Sequence, residues 1–199
     1  IGIKFLKEKS INLATVIVQN PRKSLSICSA QIFYKQPMNQ VAITGTNGKT
    51  SVSVFVRQIW EELGLKAVNI GTLGVQGAVE KTLIHTPPEP ITLHKTLTEL
   101  VEFGVQHASI EASSHGLEQC RLDGVVLQAA AFTNLSRDHL DYHHNQKNYL
   151  EAKCLLFDRI LPIGKIVVLN FDDPNIEPIL SICERRRHQV IKVGYKSGA

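Results

Sequence analysis

No stretch of this 199-residue chain approaches the roughly 20 apolar residues that a helix needs to cross a bilayer. Its start also lacks the apolar segment and cleavage site of a secretory leader, so the expectation is a soluble, cytoplasmic protein with no membrane insertion. Cysteine is sparse. Cys28, Cys120, Cys154 and Cys183 lie far apart, without CxxC spacing or paired histidines, which argues against a zinc site or disulfide framework and predicts reduced thiols. An excess of one charge is missing too: 22 basic against 18 acidic residues leave a net charge of +4, and no nucleic-acid partner is expected. The dense basic cluster Arg185-Arg186-Arg187 falls at the end of an expected helix, where cations suit the dipole. Internal repeats and low-complexity segments are absent, and 43% apolar content is that of a globular protein able to bury a core.

What is present begins with Val41-Ala42-Ile43-Thr44-Gly45-Thr46-Asn47-Gly48-Lys49-Thr50-Ser51, an apolar strand running into a glycine turn with Lys-Thr at a helix start. Small residues let backbone N–H groups approach phosphate oxygens, the open N–H groups of a new helix favour anions, and a lysine adds a point charge. The Thr50 hydroxyl suits Mg²⁺. The match to G-x-x-x-x-G-K-[ST] is incomplete, since Ile43 stands at the first glycine position and Gly45 two residues later. The plainer reading is a capped glycine turn before an ordinary helix. Against it, Val52, Phe55, Val56, Ile59 and Leu63 fall at helical spacing, Gly64 supplies a stop, and Ala67-Val68-Asn69-Ile70 reads as the next strand. The loop then lies at the carboxyl end of a strand, where open α/β sheets bind ligands.

The alternation continues. Leu93, Leu97, Leu100 and Val101 give a helix stopped by Gly104, His107 to Glu111 a strand, and Val125 to Phe132 another. A helix over 146–160, a strand Ile166 to Asn170, a helix around 176–185 and a strand Gln189 to Val193 follow. Ahead of the nucleotide strand, Ile11 to Val18 reads as a strand and residues 21–37 as a short helix and connector. Right-handed crossovers then predict an α/β fold, a mostly parallel sheet flanked by helices with a P-loop nucleotide site.

Three further clusters sit at expected strand ends. Glu111-Ala112-Ser113-Ser114-His115 places a carboxylate and two hydroxyls at the sheet's carboxyl edge, either to ligate a nucleotide-bound Mg²⁺ or to cap a helix. Phe132 to Asp141 packs Asn134, Arg137, Asp138, His139 and Asp141 behind a buried strand; His139 alone reads as a loop histidine, but beside Glu111 and Thr50 it reads as a ligand. His143 and His144 read as solvent-facing. Lys153 lies in a helical apolar stripe with Tyr149, Leu156, Phe157 and Ile160. It either snorkels to water or is a desolvated amine with a depressed pKa.

Taken together, these segments resemble the Mur ligases, the ATP-dependent amino-acid ligases of peptidoglycan synthesis. Gly45 to Thr50 is similar to their phosphate loop. Glu111 to Arg121, and Phe132 to His143 followed by Ala152-Lys153, resemble the branch that adds the third peptide residue, the UDP-N-acetylmuramoyl-tripeptide synthetases. The resemblance implies the family's central ATP-binding domain at residues 39–199, possibly incomplete, a remnant of the N-terminal UDP-binding domain with its connector at 1–38, and an absent C-terminal domain.

It further implies that Gly45, Thr46, Asn47, Gly48, Lys49, Thr50 and Ser51 hold ATP, with Asn170 near the adenine. Thr50, Glu111, His139 and Lys153 would serve the magnesium ions, Lys153 as a CO₂-derived carbamate. Lys49, His139 and Lys153 are the implied catalytic groups. Thr86, Ser113, Gln119 and Arg121 match positions that bind the UDP-muramoyl dipeptide, the other substrate being a diamino acid, meso-diaminopimelate or L-lysine. The implied route is an acyl phosphate, and the implied state a monomer, with the fragment alone inactive. One departure stands out: His85-Thr86-Pro87-Pro88 replaces the family's usual Asn-Thr-Thr-Pro. A folylpolyglutamate synthetase-like ligase and a non-catalytic ATP-binding remnant are the alternative readings.

Overall fold

The computed structural model describes residues 15–138 and 140–195. Part of the expected strand Ile11 to Val18 therefore lies outside the described residues, and Thr15 to Val18 form no strand. Helix α1 (Pro21–Ile32) starts where the Asn20 side chain accepts from Lys23 N–H and proline takes the first turn. It packs on the later helix α3 (Pro90–Glu102), and Ser26 Oγ donates to Asp123 O at 2.7 Å.

Among the described residues, seven strands form one sheet in the order β3-β2-β4-β1-β5-β6-β7. They are β1 (Asn39–Thr44), β2 (Ala67–Gly71), β3 (Gly74–Gly77), β4 (His107–Glu111), β5 (Ala129–Phe132), β6 (Ile166–Asn170) and β7 (Gln189–Val193). All neighbours pair in parallel except β2 and β3, an antiparallel hairpin closed by Thr72 and Leu73. The hairpin was not legible in the sequence because its turn carries none of the Asn-Gly or Asp-Gly signals that mark such connections. Strand β5 is shorter than the expected Val125 to Phe132, since Val125 to Gln128 are not strand, although Gln128 N–H donates to Gln40 O of β1 at 2.8 Å.

The remaining helices are α2 (Lys49–Glu62), α4 (Ser114–Glu118), α5 (Leu140–His143), α6 (Gln146–Leu155) with a π-helical turn Leu156–Ile160, and α7 (Glu177–Arg185). From β1 the chain steps one way to β2, and every later parallel connection steps the other way. Among the described residues, right-handed crossovers therefore place α2 on one face and send α3, α4, α6 and α7 to the other. The core agrees: Leu93, Leu97 and Leu100 of α3, Leu117 of α4, Tyr149 of α6 and Ile179 of α7 pack with Ala42, Ile110, Ala130, Phe132, Val167 and Leu169 of the sheet.

The apolar stripe of α2 is not its buried face. Phe55, Ile59 and Leu63 are exposed, and the helix meets the sheet through Ser53 on Ser109, Arg57 on Asn69 and the Trp60 ring beside His107.

Candidate active site

The ends of β1 and β4 lie side by side, with Ile43 in register with Glu111. Beyond β1 the chain turns through Gly45, at φ +148, where a Cβ would stand 1.9 Å from Thr133 Oγ1, and Gly48, at φ +82 with open space around it. The loop is braced from the segment after β5. Thr46 N–H donates to Asn134 O at 2.8 Å, Asn47 N–H to Asn134 Oδ1 at 3.0 Å, and Thr133 Oγ1 to Asn47 O at 2.7 Å. Val52 N–H makes the first helical bond to Gly48 O, so the N–H groups of Lys49, Thr50 and Ser51 have no intrahelical acceptor and form the anion-directed turn.

Two lysines converge on one oxygen. Lys49 Nζ donates to Gly45 O at 3.0 Å and Thr46 O at 2.7 Å, and Lys153 Nζ donates to Gly45 O at 2.7 Å. Burial pushes the Lys49 ammonium below its usual range, against the pull of Glu111 and Asp138. Lys153 is buried, lies 4.0 Å above the Tyr149 ring, and has its pKa pushed down to about 7, chiefly by burial and then by the Lys49 charge, with Asp138 opposing. Its ammonium does not reach water, which overturns the snorkelling alternative.

Glu111 is buried at the end of β4, accepting from Thr50 Oγ1 at 2.8 Å and Thr72 N–H at 3.1 Å. The carboxylate lies so close to Gly71 that a Cβ there would meet Oε1 at 1.8 Å. His139 lies outside the described residues, and among the described residues no group of three or more His, Cys, Asp or Glu side chains could hold a metal. The oxygen pair of Thr50 and Glu111 nevertheless suits a hard cation assisted by phosphate and water oxygens.

A second cluster adjoins α4. Ser113 Oγ caps Gly116 N–H and donates to Thr86 O at 2.8 Å. Arg121 Nη1 donates to Pro87 O at 2.9 Å and Nη2 to Gln119 Oε1 at 2.7 Å, while Gln119 Nε2 donates to Tyr142 Oη at 3.3 Å. The structure thus brings Thr86, Ser113, Gln119 and Arg121 together. Pro87 keeps a carbonyl in this network, and α4 approaches so closely that a Cβ on Gly116 would meet Pro87 Cδ at 2.3 Å. Glu89, which pairs with Arg121 at 2.9 Å, was missed in the sequence, as was Thr72; Asn134 and Tyr149 were noted there only as members of the polar cluster after β5 and of the Lys153 stripe.

Asn170 donates to Thr133 O at 2.8 Å and accepts from Asp172 N–H, so it braces the loop wall. His143 corrects an expectation. It is buried, not solvent-facing, with Nε2 2.9 Å from Ser114 Oγ and its ring 5.1 Å from that of Tyr149; His144 is exposed at φ 66.

The sequence matches the Mur ligase middle domain family over residues 43–199. It is 47% identical over 186 residues to the UDP-N-acetylmuramoyl-L-alanyl-D-glutamate–2,6-diaminopimelate ligase of Chelativorans sp. strain BNC1, an alignment covering 92% of this chain and 38% of that protein. A solved ligase of the same name superposes with a TM-score of 0.82 at 29% identity, over 95% of this chain and 40% of the other. A folylpolyglutamate synthase of Mycobacterium tuberculosis, complexed with ADP and AMPPCP, superposes with a TM-score of 0.70 at 14% identity over 87% of this chain and 47% of its own, a likeness of fold alone.

Proposed function

The chain belongs to the Mur ligase family, and we propose that it supplies the ATP- and acceptor-binding centre of a ligase that joins 2,6-diaminopimelate to UDP-N-acetylmuramoyl-L-alanyl-D-glutamate. One observation carries this: at the ends of adjacent strands Thr50 shares a 2.8 Å bond with Glu111 while Lys49 and Lys153 share the Gly45 carbonyl. A glycine turn alone would not gather these four groups.

In the proposed reaction a carboxylate oxygen of the dipeptide attacks the γ-phosphorus of ATP and the bond to ADP breaks. The amine of the diamino acid then displaces phosphate from the acyl phosphate and loses a proton. No protein nucleophile is needed; the chain's task is to position the reactants and balance charge. The first-turn N–H groups of α2 would bind the β- and γ-phosphates, and Lys49 would leave the Gly45 and Thr46 carbonyls to follow the transferred group. Thr50 and Glu111, with His139 by family resemblance, would hold magnesium, which supplies charge neutralisation at the phosphates. Asn170 would border the nucleotide by holding Thr133. Arg121, shared between Pro87, Gln119 and Glu89, would exchange Glu89 for an anionic group of the acceptor, beside Thr86 and Ser113.

Lys153 completes the reading. An amine titrating near 7 is substantially neutral at physiological pH, and CO₂ adds only to the neutral form, making an N–C bond and releasing a proton. The resulting carbamate would exchange a cation disfavoured by burial and by Lys49 for an anion able to ligate metal.

Calorimetric titration of the chain with ATP and excess magnesium tests the assignment. Lys49→Ala should weaken binding at least about tenfold, some 1.4 kcal/mol. Equal affinity in the two proteins would sink it.

A further inference from the structure

Tyr149 and Lys153 stand one turn apart in the buried stripe that runs through α6 and its π-helical turn to Leu156, Phe157 and Ile160. Those last three are hydrocarbon, so filling the space at 149 calls for a ring and not for its hydroxyl. A phenol that is 1% exposed has to find a polar partner or bear the cost of an unmade hydrogen bond. The partner lies in the glycine loop. The hydroxyls of Tyr149 and Thr46 are hydrogen-bonded, and Thr46 Oγ1 also accepts from Ser136 N–H at 2.9 Å.

The ring of the same residue meets the lysine. Lys153 Nζ lies 4.0 Å from the Tyr149 centroid while donating to Gly45 O at 2.7 Å, so the hydroxyl acts on Thr46 directly and the ring acts on Gly45 through Lys153. Two adjoining residues of the loop thus depend on one side chain. That side chain is in turn gripped from α5, where the His143 ring lies 5.1 Å away with its Nε2 2.9 Å from Ser114 Oγ at the start of α4. Thr46, Tyr149, His143 and Ser114 are all buried.

The lysine bonds that shape the empty loop are temporary. Lys49 holds Gly45 O and Thr46 O only until it follows a phosphate, and Lys153 holds Gly45 O only until it turns to a metal. The hydrogen bond from Tyr149 to Thr46 needs neither lysine. We propose that Tyr149 is a positioning residue of the nucleotide site, pinning Thr46 by its hydroxyl and seating Lys153 on its ring, so that the loop keeps its shape when the lysines leave the Gly45 carbonyl. A loop held ready in this way has less ordering left to do when the ligand arrives. The proposal rests on the nucleotide reading given above, and Tyr149 acts through Thr46 and Lys153 rather than on the phosphates.

Tyr149→Phe removes the hydroxyl and keeps the ring, and it is tested in the 199-residue chain with two readouts. Without ligand, hydrogen exchange at the Thr46 amide, which donates to Asn134 O, should quicken at least about tenfold more than exchange at Val168, in the middle of the interior strand β6. A merely structural role would quicken both amides alike, and that result would overturn the proposal. With excess magnesium, calorimetry should show ATP affinity falling at least about threefold, beside Lys49→Ala as the reference. Should Lys49→Ala weaken binding while Tyr149→Phe leaves it unchanged, the proposal fails and the site stands. Should Lys49→Ala bind as the wild type does, the nucleotide reading fails, and the exchange ratio alone decides whether Tyr149 holds the loop. Proton NMR checks the ring's part in the wild type itself: the ε-methylene protons of Lys153 should be shifted upfield by the ring current, in Tyr149→Phe as well, and unshifted protons would overturn it.

Discussion

Lys153 has the most legible type and the least legible surroundings of any residue in the site. Its place in an apolar helical stripe was visible in the sequence; that its amine would share Gly45 O with Lys49 was not, because the partners lie 108 positions apart. With a folded pKa near 7 and an ordinary value of 10.5, the folded chain binds fewer protons here than the unfolded chain between those pH values. Stability in CO₂-free buffer should therefore rise from pH 7 toward 10, the burial penalty being fully present below 7. Lys153→Met, similar in shape and uncharged, should stabilise the chain at pH 7 by about 1–3 kcal/mol and flatten that slope, as urea midpoints at pH 7, 8 and 9 would show. Glu111 makes the complementary case. Its carboxylate occupies the space a Cβ on Gly71 would need and is fixed by Thr50 and Thr72. Gly71→Ala should cost about 1–3 kcal/mol through overpacking and weaken magnesium-dependent ATP binding; unchanged melting temperature and affinity would show that Glu111 moves aside freely.

Elements were read well where a single period ran through them and poorly where a distant contact changed the geometry. The strands β6 and β7 matched their apolar runs, whereas the helix expected over 146–160 runs to Leu155 and continues as a π-turn. Nothing in its 3.6-residue pattern marks the change. The π-turn carries Arg159, whose guanidinium donates to Leu117 O at the end of α4 and pairs with Asp123 Oδ2 at 3.0 Å. Asp123 is buried, and burial raises its pKa, with Arg159 opposing first. Arg159→Met should leave this carboxyl without its main cation and destabilise by about 2–3 kcal/mol, less than for a wholly buried pair because Arg159 is partly exposed. With the carboxyl pKa raised further above its unfolded value, the variant should be closest to wild type below about pH 4 and lose ground as pH rises. Denaturation at pH 3.5, 5 and 7 checks the sign. The short α4, with Ser113 as its cap, was legible only as the helix-capping alternative for its segment, and its extent was not: one turn of helix has no periodicity to detect, and its position depends on Gly116 passing close to Pro87.

For the molecule as a whole, alternation and crossover handedness were enough to anticipate a mostly parallel sheet with the candidate site residues gathered at its carboxyl edge, and the structure adds which face each helix covers. That addition matters energetically. The glycine loop after β1 is held between Asn134 and Thr133 on one side and the two lysines on the other, so a bound polyanion would satisfy groups that now satisfy one another. A ligand that binds only the folded state stabilises it by mass action, about 2.7 kcal/mol at a concentration one hundred times its Kd. For a chain of 199 residues that corresponds to a rise in melting temperature of roughly 5–10 °C. The shift should require magnesium and vanish in Lys49→Ala. It should also grow when bicarbonate is supplied, if a Lys153 carbamate adds a metal ligand, and that increment alone should disappear in Lys153→Met. Differential scanning calorimetry with ATP, with and without magnesium and bicarbonate, separates the terms. An ATP shift equal in the wild type and Lys49→Ala would detach nucleotide binding from this loop, and one indifferent to bicarbonate at saturating magnesium would leave Lys153 an unmodified amine.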